Sequence, residues 1–130
     1  MNREEIAGYL KKLRDGRLRE EVDKLQRTAN VRHSVKRTHA DVLATARGSG
    51  ATDFRELAAL GEMRLDCIKR DRELGRQLII HSEQVIKAHK LAEGARLAVA
   101  QFVRARLAAQ ERSREHDAEH FLTWKRNHRG

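Results

Sequence analysis

The chain has no proline in its 130 residues. Nothing in it interrupts a helix through the missing amide and ring clash that proline brings, so long helices are permitted throughout. Its one cysteine, Cys67, excludes a disulfide within the chain. Aromatic residues are few, with one tryptophan, one tyrosine and three phenylalanines, and no stacking platform of the kind that reads single-stranded nucleic acid is evident. Apolar runs fall far short of the ~20 residues a membrane-spanning helix needs. The opening MNREEIAGYLKKLRDGR also lacks the apolar stretch of a secretory signal. These absences lead us to expect a cytoplasmic protein without a membrane span, working in solution or at the cytoplasmic face of the inner membrane.

What is present favours helix. Alanine, glutamate, lysine, leucine and arginine make up more than half of the chain, the bias of a coiled coil or long helix. Large aliphatic residues are sparse enough that periodicity must decide whether the chain folds. From Arg3 to about Arg47 apolar positions recur at helical spacing: Ile6, Leu10, Leu13; Leu18, Val22, Leu25, Ala29; Val31, Val35, Thr38, Val42. This stripe shifts phase near Gly16 and again between Leu25 and Val31.

The segment RGSGAT then ends the first helix, because glycine adopts a left-handed C-terminal turn cheaply. Thr52 or Asp53 is placed to cap a second helix, with Glu56 in capping-box position relative to Asp53. Beyond it only the isolated Gly61, Gly75 and Gly94 weaken the helical pattern. The second stripe runs Phe54, Leu57, Gly61, Leu65, Ile68, and after a shift Leu74, Leu78, His81, Val85, Ala88, Ala92, Ala95, Val99, Phe102.

The expected fold is all-α: one domain over residues 1–130, a long antiparallel two-helix coiled-coil hairpin. Helix 1 covers about 3–47, the turn 48–52 and helix 2 about 53–125. With the turn near residue 50, residue i lies roughly opposite 100 − i, so 28 faces 72 and the two phase shifts face each other. Helix 2 outruns its partner beyond about residue 97, by ~40 Å at the helical rise. A break near Gly94, folding the last segment back as the third helix of a bundle, is the alternative.

Net charge is +9, from 28 basic and 19 acidic residues, which favours anionic partners. No acid lies between Asp23 and Asp41, or from Gly94 to Gln110. A basic helical module binding nucleic acid is therefore an alternative to a protein-binding one, although no nucleic-acid reader motif is evident. HDAEH at residues 116–120 fits a zinc-hydrolase pattern. No Asp or Glu follows Glu119 and a coiled coil offers no substrate cleft, so it reads as a solvated charged face. His81 and His89 read as interface histidines, and Cys67 as an inert, partly buried thiol. No phosphate loop, nucleophile elbow or carboxylate dyad is found, so neither an enzyme nor a cofactor is expected.

The unpaired part of helix 2 supplies the candidate partner-binding residues. They are Arg104, Arg106, Arg112, Arg114 and Lys125 for charge, and Phe102, Leu107, Phe121 and Trp124 for packing. At the other end stand the turn residues Arg47, Gly48, Ser49, Gly50 and Asp53, with Phe54. Self-association through the same stripe is also compatible with the pattern.

The proline-free pair of long helices, the basic excess, DFREL opening the longer helix and the tail RARLAAQERSREHDAEHFLTWKR together resemble the FliJ/YscO group. Those are the central stalk proteins of flagellar and virulence-type III export machines. The resemblance implies a coiled-coil stalk without catalytic residues. Such a stalk enters a hexameric export ATPase, links it to the membrane-embedded export gate and meets substrate chaperones. No motif transfers the gate-contacting residues to positions here, and the scarcity of aromatics departs from an aromatic gate patch.

Overall fold

The computed structural model describes residues 1–48 and 53–128. Two helices, α1 (Arg3–Gly48) and α2 (Phe54–Asn127), pack against each other as an antiparallel hairpin. Ser49, Gly50 and Thr52, expected in the turn, lie outside the described residues. Each helix begins at a side-chain cap, which satisfies an amide that the first turn leaves without an intrahelical partner. Asn2 Oδ1 accepts from the Glu5 amide at 2.8 Å, and Asp53 Oδ1 from the Arg55 amide at 2.9 Å. Asp53, one of the two residues expected to cap α2, therefore does so. The reciprocal Glu56 bond of a capping box is absent among the described residues. α2 continues unbroken through Gly94, so the three-helix alternative is not adopted.

The chain divides into two compact units. One is Met1–Asp15 with the residues from Leu91 on, and the other is Gly16–Lys90. In the first, which we call the terminal unit, the packed face is made of small side chains. Ala7, Ala92 and Ala95 are its buried apolar residues, and so little bulk lets two helices approach closely. Around them Glu4, Lys11 and Arg14 are half-buried from α1, with Val99 and Phe102 from α2.

In the second, central unit, α1 turns inward Leu18, Glu21, Leu25, Thr28, Arg32, Val35, His39, Val42 and Ala46. From α2 come Cys67, Asp71, Leu74, Leu78, His81, Val85 and Ala88. Both series alternate steps of three and four, the rhythm of a coiled-coil seam. The expected phase shifts do not occur. Where the apolar stripe drifts off the seam, polar residues take its place, leaving Val22 and Val31 of α1 and Leu57, Met63 and Leu65 of α2 exposed. A hydrogen-bonded helix cannot slip its own phase without inserting a residue into the ladder, so its geometry overrides the apolar pattern.

At the centre of this drift Arg32 crosses to Asp71, with Nε to Oδ1 at 2.9 Å. In place of the shifts expected near residues 28 and 72, an ion pair is set into an uninterrupted seam. Gly75 makes room for it, since a Cβ there would lie 3.3 Å from Arg32 Nη2. The hydrogen bond from Arg32 holds the Asp71 carboxyl below its ordinary range. Burial opposes that effect, while the charges of Arg32, Lys36 and His39 reinforce it. The same hydrogen bond raises Arg32.

No side chain is fully enclosed among the described residues. Two helices alone share one contact line and cannot surround a core as a bundle does. Apolar side chains beside that line stay wet, and in the terminal unit these include Ile6, Tyr9, Leu10 and Leu13.

Candidate functional site

The terminal unit holds all of the residues singled out as partner-binding. Glu4 Oε1 accepts from Arg106 Nη1 at 2.9 Å, so α1 still accompanies α2 well past residue 97, where the sequence arithmetic ended the pairing. Two expectations are corrected by this. Arg106 spends its charge on Glu4, and Phe102 is half-buried beside α1 instead of standing on an unaccompanied helix. Opposition of residue i to 100 − i holds to within a few residues at Arg32–Asp71 and Arg14–Leu91 and falls shorter at Glu4–Arg106, because α2 starts only at Phe54 and long side chains reach along the helix axis to their partners.

Phe102 belongs to an apolar trough of about 290 Å³. Its floor is Ala7, Ala95 and Ala98, its walls are Ile6, Leu10 and Phe102, and Arg3 and Arg14 stand at its rim. Arg14 Nη1 donates to the Leu91 carbonyl at 3.2 Å, which fixes the guanidinium against α2.

From Arg104 to His128 every residue is exposed. The stretch 107–127 extends about 30 Å beyond the Glu4–Arg106 pair at 1.5 Å per residue. Leu107, Phe121 and Trp124 are each more than half exposed on it. Arg104, Arg112, Arg114 and Lys125 stand exposed on the same stretch; Arg112 Nε reaches the Ala108 carbonyl at 3.4 Å. Lys125 and Arg126 occupy the last turn, where positive charge complements the helix dipole.

The structure also assembles a group that sequence reading missed. Phe121 stacks near Trp124 with ring centroids 6.3 Å apart, and His128 stacks on Trp124 at 4.5 Å. His128 Nδ1 lies 2.8 Å from the Trp124 carbonyl. The i, i+4 spacing of Trp124 and His128 was the available signal.

In the central unit, Arg47 and Gly48 close α1 and are exposed, Asp53 caps α2, and Phe54 is 83% exposed. His116 and His120 stack side by side in the open. No group of three or more potential metal ligands is present among the described residues, and all five residues of HDAEH are exposed. His81 is half-buried on the seam and His89 exposed. His39 is half-buried on the seam as well, and its Nε2 is enclosed without a hydrogen-bond partner. Cys67 is buried with a free thiol. Among the described residues no helix is long and apolar enough to cross a membrane.

No protein-family model matches the chain, and no curated protein or solved structure is similar enough to count as a match. The reading of the site therefore stands on its own chemistry. That chemistry is a narrow alanine contact line, a wet apolar trough bordered by arginine, and an exposed helical extension on which Arg112, Arg114, Lys125 and Arg126 are interleaved with Glu111, Glu115, Asp117 and Glu119, with an aromatic cluster near its end.

Proposed function

We propose that this protein is a non-enzymatic helical-hairpin stalk of a type III export apparatus. It binds a hexameric export ATPase and couples it to the export gate or to substrate chaperones. The observation that carries the reading is the extension of α2 past the Glu4–Arg106 pair, with Leu107, Phe121 and Trp124 exposed beside Arg112, Arg114 and Lys125. Apolar side chains held in water forfeit ~1.5–3 kcal/mol each relative to a buried state. A protein surface that covers them recovers that energy, and an acidic ring lumen would complement the arginines. The FliJ/YscO resemblance supplies the identity of the ring; the extension supplies the means of seating in it.

The decisive experiment adds the purified chain to a hexameric export ATPase of a type III system and follows hexamer assembly and turnover. The proposal expects both to rise, and both to return to the basal level when Trp124→Ala and Phe121→Ala are combined. If the wild-type chain alters neither, the stalk reading falls. A random DNA duplex at low salt is the control, and salt-sensitive duplex binding without any ATPase response would replace the stalk by a nucleic-acid module.

A further inference from the structure

The trough in the terminal unit is separate in character from the extension. Its occupant can be argued from shape and charge. Ile6 and Leu10 are 46% and 41% exposed although they stand beside the buried Ala7. The volume of about 290 Å³ lies at the small end of ligand pockets, which begin at roughly 300 Å³. The space is an elongated groove between two helices, suited to side chains presented by a third helix at i, i+4 and i+7.

Arg3 and Arg14 bracket the groove, three helical turns or about 16 Å apart on α1. Among the described residues neither has a carboxylate within ion-pair distance, whereas nearby Arg96 and Arg106 are paired with Glu93 and Glu4. The contact of Arg14 with the Leu91 carbonyl holds its charge in place before any partner arrives. A second copy of this chain is a poor occupant. Two-fold pairing on this groove would set Arg3 and Arg14 against the same arginines of the other copy.

We propose that the groove formed by Arg3, Ile6, Leu10, Arg14, Ala98 and Phe102 docks an amphipathic helix from another protein. That helix places apolar residues between Ile6 and Phe102 and a carboxylate opposite each arginine. The docked helix converts the hairpin locally into a three-helix arrangement and removes Ile6, Leu10 and Phe102 from water. This assignment does not depend on the stalk reading, because it uses no residue of the 107–127 extension.

The test uses the full chain and a labelled helical peptide of about 20 residues with leucines at i, i+4 and i+7 and glutamates about eleven residues apart. A second peptide replaces the glutamates by lysines. The acidic peptide should bind at least about tenfold more tightly than the lysine peptide by fluorescence anisotropy. Leu10→Glu, at an exposed position that should leave helicity by circular dichroism intact, should abolish binding. Arg3→Glu combined with Arg14→Glu should invert the preference between the peptides. Equal binding of both peptides, binding that survives Leu10→Glu, or no binding by the acidic peptide would overturn the proposal. So would a dimer in sedimentation that Leu10→Glu dissolves, since the groove would then be filled by a second copy.

Discussion

Arg32 of α1 and Asp71 of α2 meet inside the seam of the central unit, Nε to Oδ1 at 2.9 Å, with a second contact from Nη2 to Oδ2 at 3.5 Å. The pair sits where hydrophobic residues would hold any register sliding past them with equal ease. A fork-shaped guanidinium on a carboxylate accepts one alignment far better than its neighbours. Register selection is therefore its contribution, in the manner of polar groups at single seam positions in other coiled coils.

The pair makes acid stability depend on Asp71. Its folded-state value is depressed below the ordinary one near 3.8, so the unfolded chain takes up the proton first as acid is added. The contribution is fully present above about 3.8 and is lost as pH falls through the lower folded-state value. Arg32 is shifted upward, and its contribution persists throughout the accessible range. Asp71→Asn should lower the melting temperature at neutral pH and flatten the acid limb of its pH profile. A profile identical in shape to wild type would show that the pair is not the source.

Gly75 tests the space around the same arginine. Replacing a helical glycine by alanine gains ~1 kcal/mol where nothing interferes, and Gly61 has open space around it. Gly61→Ala should stabilise the chain by about that amount. Gly75→Ala should gain less, because the new methyl meets Arg32 Nη2 at 3.3 Å. In an Arg32→Ala background the two substitutions should become equivalent. Urea denaturation midpoints at constant slope give all four values.

Glu21 occupies a seam position at 3% exposure, yet its ion-pair partners Arg17 and Lys24 remain largely in solvent. Removing the carboxylate leaves no buried charge unpaired, and an apolar side chain would fill a position made for one. Glu21→Leu should therefore stabilise the protein by about 1–2 kcal/mol, read as a higher urea midpoint. A lower midpoint would mean that the carboxylate is needed where it stands.

Trp124 is the only tryptophan and is 54% exposed. Its emission should be that of a wet indole and readily quenched by acrylamide, then shift to the blue and lose quenching when a partner covers the extension. Trp124→Ala should change folding stability by no more than about 0.5 kcal/mol, as surface substitutions do. A larger loss would place Trp124 in the folded interior and not at a docking surface.

Much of the fold was open to sequence reading because helices are local. Phe54 as the start of α2 and the continuity through Gly94 followed from caps, glycine spacing and the absence of proline. The packed face was harder. Ile6, Leu10 and Leu13 read as the seam of α1, but they flank it, and Ala7 with Glu4, Lys11 and Arg14 lies against α2. Glu21, Arg32 and His39 escaped for the same reason: a charged or polar residue announces burial only when its partner is known.

The candidate site divided along similar lines. Exposure of Leu107, Phe121 and Trp124 was legible, since one helix had too few residues to cover the other. The pairing of Arg106 with Glu4 and the place of Phe102 in the trough depended on register, which no single helix encodes.

Composition, spacing and capping by themselves determined that there would be two long helices of unequal length and where each would begin. Each of those properties arises from interactions within a few residues along the chain. Which face of each helix met the other, which charges found partners and which were left at the rim of an apolar groove were decided only by the tertiary structure. Those outcomes depend on the juxtaposition of residues dozens of positions apart, such as Arg32 with Asp71 and Glu4 with Arg106.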